Sequence, residues 1–401
     1  GIAGYAVGEL NLYENNNNLD YPYKDPLTLL IESSNGCSDY GNKIGEPVTS
    51  GFARSFYGNI DGNRVEYIKP ILYSAGNGLM LENNSKKGTG SVGDLIVRVG
   101  GPAYPIGMGG GAASSRNQST ENSESDFMAV QRGDPQMENK LCRFVRVCAE
   151  LLDENPIISI HDQGSGGMAN VTKEIIEPCG AIVNLNKVKK GCSDMGVFEV
   201  WNAEYQEQCS ILINPKDVNL VKKIAEKESV DLEFVGVLTE KPIIYCYGEN
   251  GDLPIQLDLK KALYNFPKKN VNINIPSNMP NFNIEHWISC DFMKAVNLVF
   301  NTLEVGSKNF LTHKVDRSVT GLIAQQQCVG PFHIPLADYS VNAIDFYSTK
   351  GVCSAIAERP VNGIRSIKSM VEITVGELLT NMIFCPITNL RDIKVLTNWM
   401  W

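Results

Sequence analysis

The chain has 401 residues, and this length predicts two or three domains because a single hydrophobic core is ordinarily smaller. Hydrophobic residues make up 43% of the sequence and charged residues 20%, which is typical of soluble globular proteins. The net charge of −9 argues against general binding to nucleic acids, which requires clustered lysine and arginine, but does not exclude small anionic ligands. No apolar run reaches membrane-spanning length, and no signal peptide is visible.

The cysteine pattern predicts reduced thiols and therefore a cytoplasmic protein. The 11 cysteines occur singly, without a CxxC pair or the spacing of a disulfide framework. None of the 4 histidines lies near a cysteine at zinc-ligand spacing. The chain begins with glycine and opens in a predicted strand, Gly1–Val7, so we expect a piece of a longer polypeptide.

The first predicted block covers residues 1–88. We expect strands near Gly4–Leu12 and Ile68–Ser74, joined by polar loops that are rich in asparagine. The run Asn15–Asn18 predicts a solvated loop.

The second predicted block, residues 89–265, alternates strands with helices. It opens with the strand Gly93–Val99 and a glycine-rich loop. Asp134 as N-cap and Pro135 at the first helical position then predict the start of a helix. The predicted apolar face of this helix consists of Met137, Leu141, Val145, Cys148 and Leu152. The short apolar strand Ile157–Ile160 follows, and this alternation favours an α/β or α+β fold.

Residues 266–289 are rich in asparagine and proline, and they predict a linker. The third block, residues 290–401, contains a predicted strand at Val319–Ala324 and a mainly helical stretch at Val361–Phe384.

Two glycine-rich segments of the second block are candidates for ligand contact. Gly100–Ser115 contains six glycines, which let a backbone approach a ligand and present its N–H groups. No GK[ST] follows, so this is not a Walker A loop, and tight packing alone would explain the glycines equally well.

The second of these segments is Ile160–Met168. Asp162 ends a predicted strand, and a glycine loop and a helix from Ala169 follow it. Phosphates and Mg²⁺ bind at such places, but a turn or capping role for Asp162 is favoured by the spacing alone. His161 is expected to be structural.

Two further segments contain side chains with carboxylate or carboxamide oxygens. Glu377 and Asn381 are four residues apart, on one face of a predicted helix, and Asp338 follows an apolar stretch. These three suit a hard divalent cation, although acidic residues at this spacing are also common on solvated helix faces. The segment Trp201–Glu207 either binds a polar ligand through hydrogen bonds or lies on a surface turn.

Taken together and in this order, these segments resemble the phosphoribosylformylglycinamidine synthase family, whose members they match along essentially the whole chain. The matching motifs are SNGCSDYGNKIGEP (34–47), GPAYPIGMGGGAASS (101–115), DFMAVQRGDPQME (126–138), IHDQGSGGM (160–168), DRSVTGL (316–322), VGP (329–331), PLAD (335–338), VGELLTN (375–381) and LTNWM (396–400). Several independent long motifs in the family's order argue against a chance resemblance.

The resemblance implies a tandem α+β or α/β architecture whose domains are like those of aminoimidazole ribonucleotide synthetase. Residues 1–88 would end a first N-type domain, and residues 89–265 would form a complete first C-type domain. After the linker at 266–289, residues 290–401 would form the front part of a second N-type domain.

The resemblance also implies the residues of a substrate site. It places substrate contacts at Gln131, Glu204 and Gln206, and a Mg²⁺ ligand at Asp162. Tyr205 stands where better-known members have serine, which leaves the detail of substrate contact open. No catalytic residue is expected within this piece, because the family's catalytic histidine motif would precede it.

A second site is implied in the second N-type domain. There the resemblance places a retained, non-catalytic nucleotide at Ala337, with Mg²⁺ ligands at Asp338, Glu377 and Asn381. The cofactors expected are therefore ATP or ADP and Mg²⁺.

The activity implied is that of an ATP-dependent C–N ligase of purine biosynthesis with glutamine as amide donor. It converts formylglycinamide ribonucleotide, glutamine and ATP to formylglycinamidine ribonucleotide, glutamate, ADP and phosphate. A glutaminase domain and a second C-type domain would lie on the same full-length chain, and this piece alone is expected to be inactive. The alternatives are another ATP-using synthetase of the superfamily and a non-catalytic nucleotide-binding scaffold.

Overall fold

The computed structural model describes residues 1–10, 24–60, 62–116, 119–130, 133–204, 207–248, 251–264, 267–268, 270, 272, 291–313, 316 and 318–398. The chain forms two compact units. The split unit contains Gly1–Asn18, Tyr23–Leu79 and Ile273–Trp401, and the central unit contains Leu19–Pro22 and Met80–Asn272. The predicted domain boundaries stay predictions, and the linker predicted at 266–289 lies almost wholly outside the described residues, as does the run Asn15–Asn18.

Strands and helices alternate along most of the chain. The strands are β1 (Ile2–Val7), β2 (Ser50–Ser55), β3 (Tyr57–Ile60), β4 (Asn63–Glu66), β5 (Ile71–Ala75), β6 (Leu95–Gly100), β7 (Ile157–Asp162), β8 (Gly180–Asn184), β9 (Gln208–Ile213), β10 (Leu232–Thr239), β11 (Ile243–Tyr247), β12 (Ile255–Asp258), β13 (Ile323–Gln325), β14 (Tyr339–Ala343) and β15 (Gly351–Ala355). The helices are α1 (Pro26–Ile44), α2 (Gly110–Ser115), α3 (Ser123–Met128), α4 (Pro135–Glu150), α5 (Gly167–Ile176), α6 (Val197–Asn202), α7 (Val218–Glu228), α8 (Leu259–Tyr264), α9 (Phe292–Phe300), α10 (Asn309–Thr312), α11 (Pro360–Gly363) and α12 (Ile367–Asn381).

Within its described residues, the split unit contains two three-stranded sheets and the two-stranded antiparallel sheet β3–β4. In the first, β1 lies between β2 and β5, parallel to β2 and antiparallel to β5. In the second, β14 pairs antiparallel with both β13 and β15. Helix α1 begins after Asp25, whose side chain accepts a hydrogen bond from the Thr28 amide, and it packs on β1. The buried apolar core is formed by Ala3, Tyr5, Val7, Leu30, Ala53, Leu303 and Leu311.

The central unit is built on a seven-stranded sheet with the order β12-β11-β8-β10-β6-β9-β7. Its strand pairs are antiparallel except β8 with β11. Successive residues of β6 alternate between two cores: Ile96 packs with α5 and α6, and Val97 packs with α4 and α7. Helices therefore cover both faces of the sheet, and this explains the nearly continuous apolar sequence of β6.

Most of the predicted elements of the central unit are confirmed, with one correction to a helix. Helix α4 begins as predicted, with Asp134 as N-cap and Pro135 in the first turn. Leu152 does not belong to its apolar face, however. The helix ends at Glu150, and Leu152 has a positive φ of 55° and is 62% exposed. A residue beyond the last turn no longer follows the helical period, so its side chain points elsewhere.

The strand predicted at Val319–Ala324 is also shorter than expected. Thr320 and Gly321 have φ values of 75° and 73°, and the Gly321 amide donates to the Ser318 carbonyl at 3.1 Å. The chain therefore turns here, and β13 begins only at Ile323. The helical stretch predicted at Val361–Phe384 is confirmed mainly as α12.

Across the described part of the chain, no helix combines the length and the apolar character that crossing a membrane requires.

Candidate functional site

Three loops of the central unit meet at one edge of its sheet. Strand β9 lies between β6 and β7 and is antiparallel to both. The carboxyl ends of β6 and β7 therefore flank the amino end of β9, with Gly100 opposite Gln208 and Asp162 opposite Cys209. Each of these strand ends joins one of the candidate segments of the sequence analysis. The sheet therefore places side by side three candidate ligand-binding segments that are far apart along the chain.

Direct contacts connect the three loops. The Glu204 amide donates to the Ile106 carbonyl at 3.2 Å, and the Glu204 carboxylate accepts from the Gly166 amide at 3.1 Å. Glu204 is only 4% exposed. A Cβ on Gly111 would lie 2.6 Å from the Ser165 hydroxyl oxygen, so the long glycine-rich segment also reaches the loop after β7. Buried carboxylates need such hydrogen-bond donors, and here the donor belongs to the neighbouring loop.

Two glycines make this close approach possible. Gly100 has a φ of 123°, and a Cβ there would lie 2.2 Å from the Glu207 carbonyl oxygen. Gly167 has a φ of 54°, and its Cβ would lie 2.2 Å from the Ala203 carbonyl oxygen. Any other residue would both strain the backbone and collide with the adjacent loop, so the glycines are required by packing as well as by any ligand.

A cavity of about 490 Å³ opens beside these loops. It is lined by Gly101, Pro102, Tyr104, Pro105, Ile106, Phe127, Met128, Val130, Gly133, Asp134, Met137, Glu207 and Gln208. Of the predicted substrate residues, Gln131 and Gln206 lie outside the described residues. Both are adjacent in sequence to segments that line the cavity, after Val130 and before Glu207 respectively. Glu204 belongs to the same loop as Glu207.

Asp162 presents its carboxylate to solvent at the end of β7. Its side chain is 78% exposed, and its nearest recorded partner is His161, whose Nδ1 lies 3.2 Å from Oδ1. The other ring nitrogen of His161 lies 2.5 Å from Glu174 on α5, which fits the structural role expected for this histidine. Burial raises the pKa of the Cys209 thiol to about 12, and the negative charges of Glu138 and Asp162 add to that rise. An open carboxylate beside a glycine loop fits a cation that also binds phosphate oxygens.

The residues of the second predicted site lie on two elements of the split unit. Asp338 is exposed and immediately precedes β14, and the Ala337 amide donates to the Gln327 carbonyl at 2.8 Å. Glu377 and Asn381 both lie on α12, as predicted. The Asn381 side-chain amide donates to the Ile356 carbonyl at 3.2 Å. The structure records no contact that joins Asp338 to the other two.

Glu377 is paired with arginine. Its Oε1 accepts from Arg54 at 3.0 Å and from Arg359 at 2.8 Å, whereas Oε2 is buried without a hydrogen-bond partner. Arg54 also pairs closely with Glu358, which is 6% exposed. Within the described residues, no group of three or more His, Cys, Asp or Glu side chains is gathered as metal ligands. The unpartnered Oε2 fits an additional positive group, and the predicted Mg²⁺ site stays a prediction.

Burial dominates the protonation of this cluster. It raises the pKa of Glu358 to about 7, although Arg54 and Arg359 favour the charged carboxylate. Burial and the adjacent Glu358 raise the pKa of Tyr67 well above its usual value, and the Tyr67 hydroxyl donates to Glu358 at 3.4 Å. The cluster therefore holds a carboxyl group whose charge changes near neutral pH.

Comparison with known proteins identifies the family. Residues 91–248 match the family model of the AIR synthase related protein, C-terminal domain, and residues 307–401 match that of the FGAR-AT PurM_N-like domain. The whole chain is 44% identical to the phosphoribosylformylglycinamidine synthase of Dictyostelium discoideum. The chain belongs to the phosphoribosylformylglycinamidine synthase family.

Other members of this family give the same result. The whole chain is 42% identical to the phosphoribosylformylglycinamidine synthase of Drosophila melanogaster and 40% identical to that of Homo sapiens. It spans about a third of the length of these curated relatives, 31% of the Dictyostelium protein and 32% of the human one.

Solved structures support the fold. PurLQS from Thermotoga maritima matches with a TM-score of 0.62 at 18% identity, over 95% of this chain and 54% of that chain. T. maritima PurL complexed with ATP matches with a TM-score of 0.60 at 18% identity, over 95% of this chain and 53% of that chain. The fold class predicted from the sequence, tandem domains like those of aminoimidazole ribonucleotide synthetase, is thereby confirmed.

Sequence reasoning missed the arginines that organise both sites. Arg98 interrupts the apolar run of β6 and is 1% exposed, and Arg54 lies on β2 with its side chain 12% exposed. A charged residue inside an apolar strand is a usable signal, because arginine is almost never fully buried unless it is paired. The identity of its partners could not have been read from the sequence.

Proposed function

We propose that the chain is part of an ATP-dependent amidotransferase ligase. The full-length enzyme converts formylglycinamide ribonucleotide, glutamine and ATP to formylglycinamidine ribonucleotide, glutamate, ADP and phosphate. The observation that carries this proposal is the meeting of three loops around Glu204 in a chain 44% identical throughout to a protein of that name. T. maritima PurL has been solved in complexes with FGAR and with ATP, and this fits the proposal.

In this proposal the central unit contributes to the substrate site. Gln131, Glu204 and Gln206 orient the substrate, and orientation of this kind removes several kcal/mol of a reaction barrier, roughly 7–11 kcal/mol in the best cases. Asp162 is the residue that would hold Mg²⁺, since its carboxylate is open to solvent. When bound, the cation neutralises phosphate charge that would otherwise repel the incoming groups.

The split unit carries the second, auxiliary site of the proposal. Ala337 would contact a nucleotide, ATP or ADP, and Mg²⁺ would be held by Asp338, Glu377 and Asn381. Support comes from the buried Glu377 Oε2, which has no hydrogen-bond partner. The guanidinium groups of Arg54 and Arg359 beside Glu377 also suit nucleotide phosphates.

The partners that we propose follow from the reaction. Ammonia comes from glutamine through a glutaminase domain, which we place with a second C-type domain on the full-length chain. The small-molecule partners are formylglycinamide ribonucleotide, ATP and ammonia, with neither nucleic acid nor membrane among them. We place the enzyme in the cytoplasm, in agreement with its free cysteines.

A coupled assay on the full-length enzyme tests this function. Phosphate release and product formation should require formylglycinamide ribonucleotide, ATP, Mg²⁺ and either glutamine or ammonium. ATP consumption that requires selenide (a selenophosphate synthetase) or thiamine phosphate (a thiamine phosphate kinase), and not this ribonucleotide, would support a different member of the superfamily. Nucleotide binding without substrate-dependent turnover would support the scaffold alternative.

A further inference from the structure

Beneath the cavity of the central unit lies a buried polar network centred on Arg98. This side chain is 1% exposed, and it belongs to the strand that leads into the glycine-rich segment. Its Nε donates to the Gln208 side-chain oxygen at 2.8 Å, and its Nη2 donates to the Gly101 carbonyl at 2.8 Å. Its Nη1 pairs with the Glu233 carboxylate on β10. One guanidinium group thus binds three acceptors from three parts of the unit.

Gln208 extends the network to the wall of the cavity. Its side-chain amide donates to the carbonyl of Gly101 and, at 3.0 Å, to the carbonyl of Pro102. Gly101 and Pro102 line the cavity, as does Gln208 itself. Two successive carbonyl groups of the loop are therefore held by side chains that are almost completely buried.

Glu233 holds the other side of the same loop. Its second oxygen accepts from the Lys189 amide at 3.0 Å. The Lys189 carbonyl in turn accepts from the Ala103 amide at 2.8 Å, and the Ala103 carbonyl accepts from the Gly191 amide at 2.7 Å. The loop is thus fixed between Gln208 and residues 189–191, and Arg98 connects the two supports.

Stability alone does not explain this arrangement well. A buried ion pair is often no more stabilising than apolar side chains of the same volume, because both charges lose their hydration. Burial indeed raises the pKa of Glu233, although Arg98 favours its charged form. A planar guanidinium with several fixed donors is instead well suited to holding acceptors in one defined geometry.

We propose that Arg98 is a positioning residue, which fixes the loop Gly101–Ile106 through Gln208 and Glu233 and so sets the shape of the substrate cavity. Arg98 does not touch the substrate. The identity of that substrate, formylglycinamide ribonucleotide, rests on the function proposed above, whereas the control of the loop rests only on the contacts of the central unit.

The test uses the full-length enzyme and three variants. Arg98→Lys keeps the positive charge beside Glu233, but its single ammonium nitrogen cannot span the three separate acceptors that Nε, Nη1 and Nη2 of the guanidinium group reach. Gln208→Glu keeps an acceptor for Arg98 and replaces the donor that faces the carbonyls of Gly101 and Pro102. This variant tests the same proposal if Arg98→Lys does not fold. Arg143→Lys is the matched control, because Arg143 is 57% exposed and pairs with Glu228 away from this loop.

Two measurements decide the proposal. Hydrogen exchange without ligand should be at least about tenfold faster for the amides of Ala103 and Gly191 in Arg98→Lys, and unchanged in strands β9 and β10. The KM for formylglycinamide ribonucleotide should rise roughly tenfold, with kcat and the KM for ATP nearly unchanged, since uniform binding is lost. Gln208→Glu should behave in the same way, and Arg143→Lys should match the wild type.

Three other results would contradict the proposed roles of Arg98 and of the enzyme. If Arg98→Lys matches Arg143→Lys in loop exchange and in KM, Arg98 does not position the loop. If exchange rises throughout the sheet and all kinetic constants change together, Arg98 has only a general structural role. If the wild type does not bind this ribonucleotide, the proposed function fails, and the exchange data still decide the control of the loop.

Discussion

The carboxylates of the candidate sites are held in three different ways. Asp162 is open to solvent at a strand end, whereas Glu204 is buried against the Gly166 amide. Glu358 and Glu377 lie among arginines. An open carboxylate can accept a cation without breaking protein contacts, whereas a buried one fixes the position of the group that it binds. Residues of the same chemical type thus have different expected effects when they are changed.

Asp162→Asn should lower kcat of the full-length enzyme far more than it lowers stability. Loss of one charged metal ligand removes roughly a few kcal/mol of transition-state stabilisation. The side chain is 78% exposed, so the melting temperature should hardly change. Steady-state kinetics and thermal unfolding check this, with the exposed Asp153→Asn as control. An unchanged kcat with a lowered melting temperature would support the capping role instead.

Glu358 should make stability depend on pH near neutrality. Its pKa is raised to about 7 from an ordinary value of 4.5, and the groups facing it are Arg54, Arg359, Glu377 and the Tyr67 hydroxyl. The folded state therefore binds this proton more tightly than the unfolded state does. The contribution of Glu358 to the free energy of unfolding is complete below pH 4.5 and is lost as the pH rises through about 7. The expected loss is up to about 3 kcal/mol.

Glu358→Gln removes this titration and provides the measurement. The melting temperature of the variant minus that of the wild type should increase between pH 5.5 and pH 8, because only the wild type ionises there. Asp39→Asn, which removes an exposed partner of Lys43, should show a constant difference. A constant difference for Glu358→Gln as well would mean that this carboxyl group does not titrate in the window.

At the scale of elements, local sequence signals were sufficient where one residue type has one strong physical role. Asp134 and Pro135 predicted the start of α4 correctly. An N-cap oxygen accepts hydrogen bonds from the free amides of the first turn, and a proline at the first helical position has no amide that needs an acceptor. The apolar run within Gly93–Val99 predicted a strand, and this strand is confirmed as β6. The strand predicted from Val319 failed because Thr320 and Gly321 adopt a left-handed turn, which apolar pattern alone does not reveal.

Asp134→Ala should destabilise the central unit by about 1 kcal/mol. The Asp134 carboxylate accepts from the amides of Gln136 at 3.1 Å and Met137 at 3.0 Å, and both amides lose this acceptor in the variant. Denaturant unfolding checks the change, and Asp134→Asn should largely restore stability because it keeps a cap oxygen. Equal destabilisation by alanine and asparagine would show that the capping bonds are not responsible.

The site as a whole was harder to predict than its elements. Family motifs indicated Asp162 and Glu204, and the sheet order explains why their loops meet. The partners of these residues come from strand pairing between distant parts of the chain, and single-sequence patterns contain no information about that pairing. Arg98 and Arg54 were missed for this reason: Arg98 stands out as a charged residue within an apolar strand, but neither arginine could be assigned to a network.

At the scale of the molecule, each compact unit contains its own polar centre, and the two are proposed to have different roles. The cluster of the split unit joins residues of β2 to residues of α12, through Arg54 and Glu377. Arg54 lies in the first predicted block and Glu377 in the third. Whatever binds at Glu377 should therefore stabilise the association of these two parts of the split unit, and a ligand selective for the folded state raises stability by mass action.

Glu377→Ala should consequently reduce both the nucleotide content and the thermal stability of the full-length enzyme. Without the carboxylate, the proposed Mg²⁺ site loses a ligand, and Arg54 and Arg359 lose the acceptor that they share at 3.0 Å and 2.8 Å. The purified wild type should carry ADP or ATP, and the variant much less. The affinity for substrate ATP should be nearly unchanged, because the proposed nucleotide is structural.

The controls separate the loss of a ligand site from the loss of an ion pair. Glu372→Ala removes an exposed carboxylate from the same helix, where its partner Lys368 is 3.8 Å away, and it should leave nucleotide content and stability unchanged. Glu377→Gln keeps an oxygen for the arginines but removes the charge needed by the cation. If Glu377→Gln retains wild-type nucleotide while Glu377→Ala unfolds, the residue serves the arginine cluster alone. If both variants lose nucleotide and added Mg²⁺–ADP raises the melting temperature of the wild type only, Glu377 acts as a metal ligand.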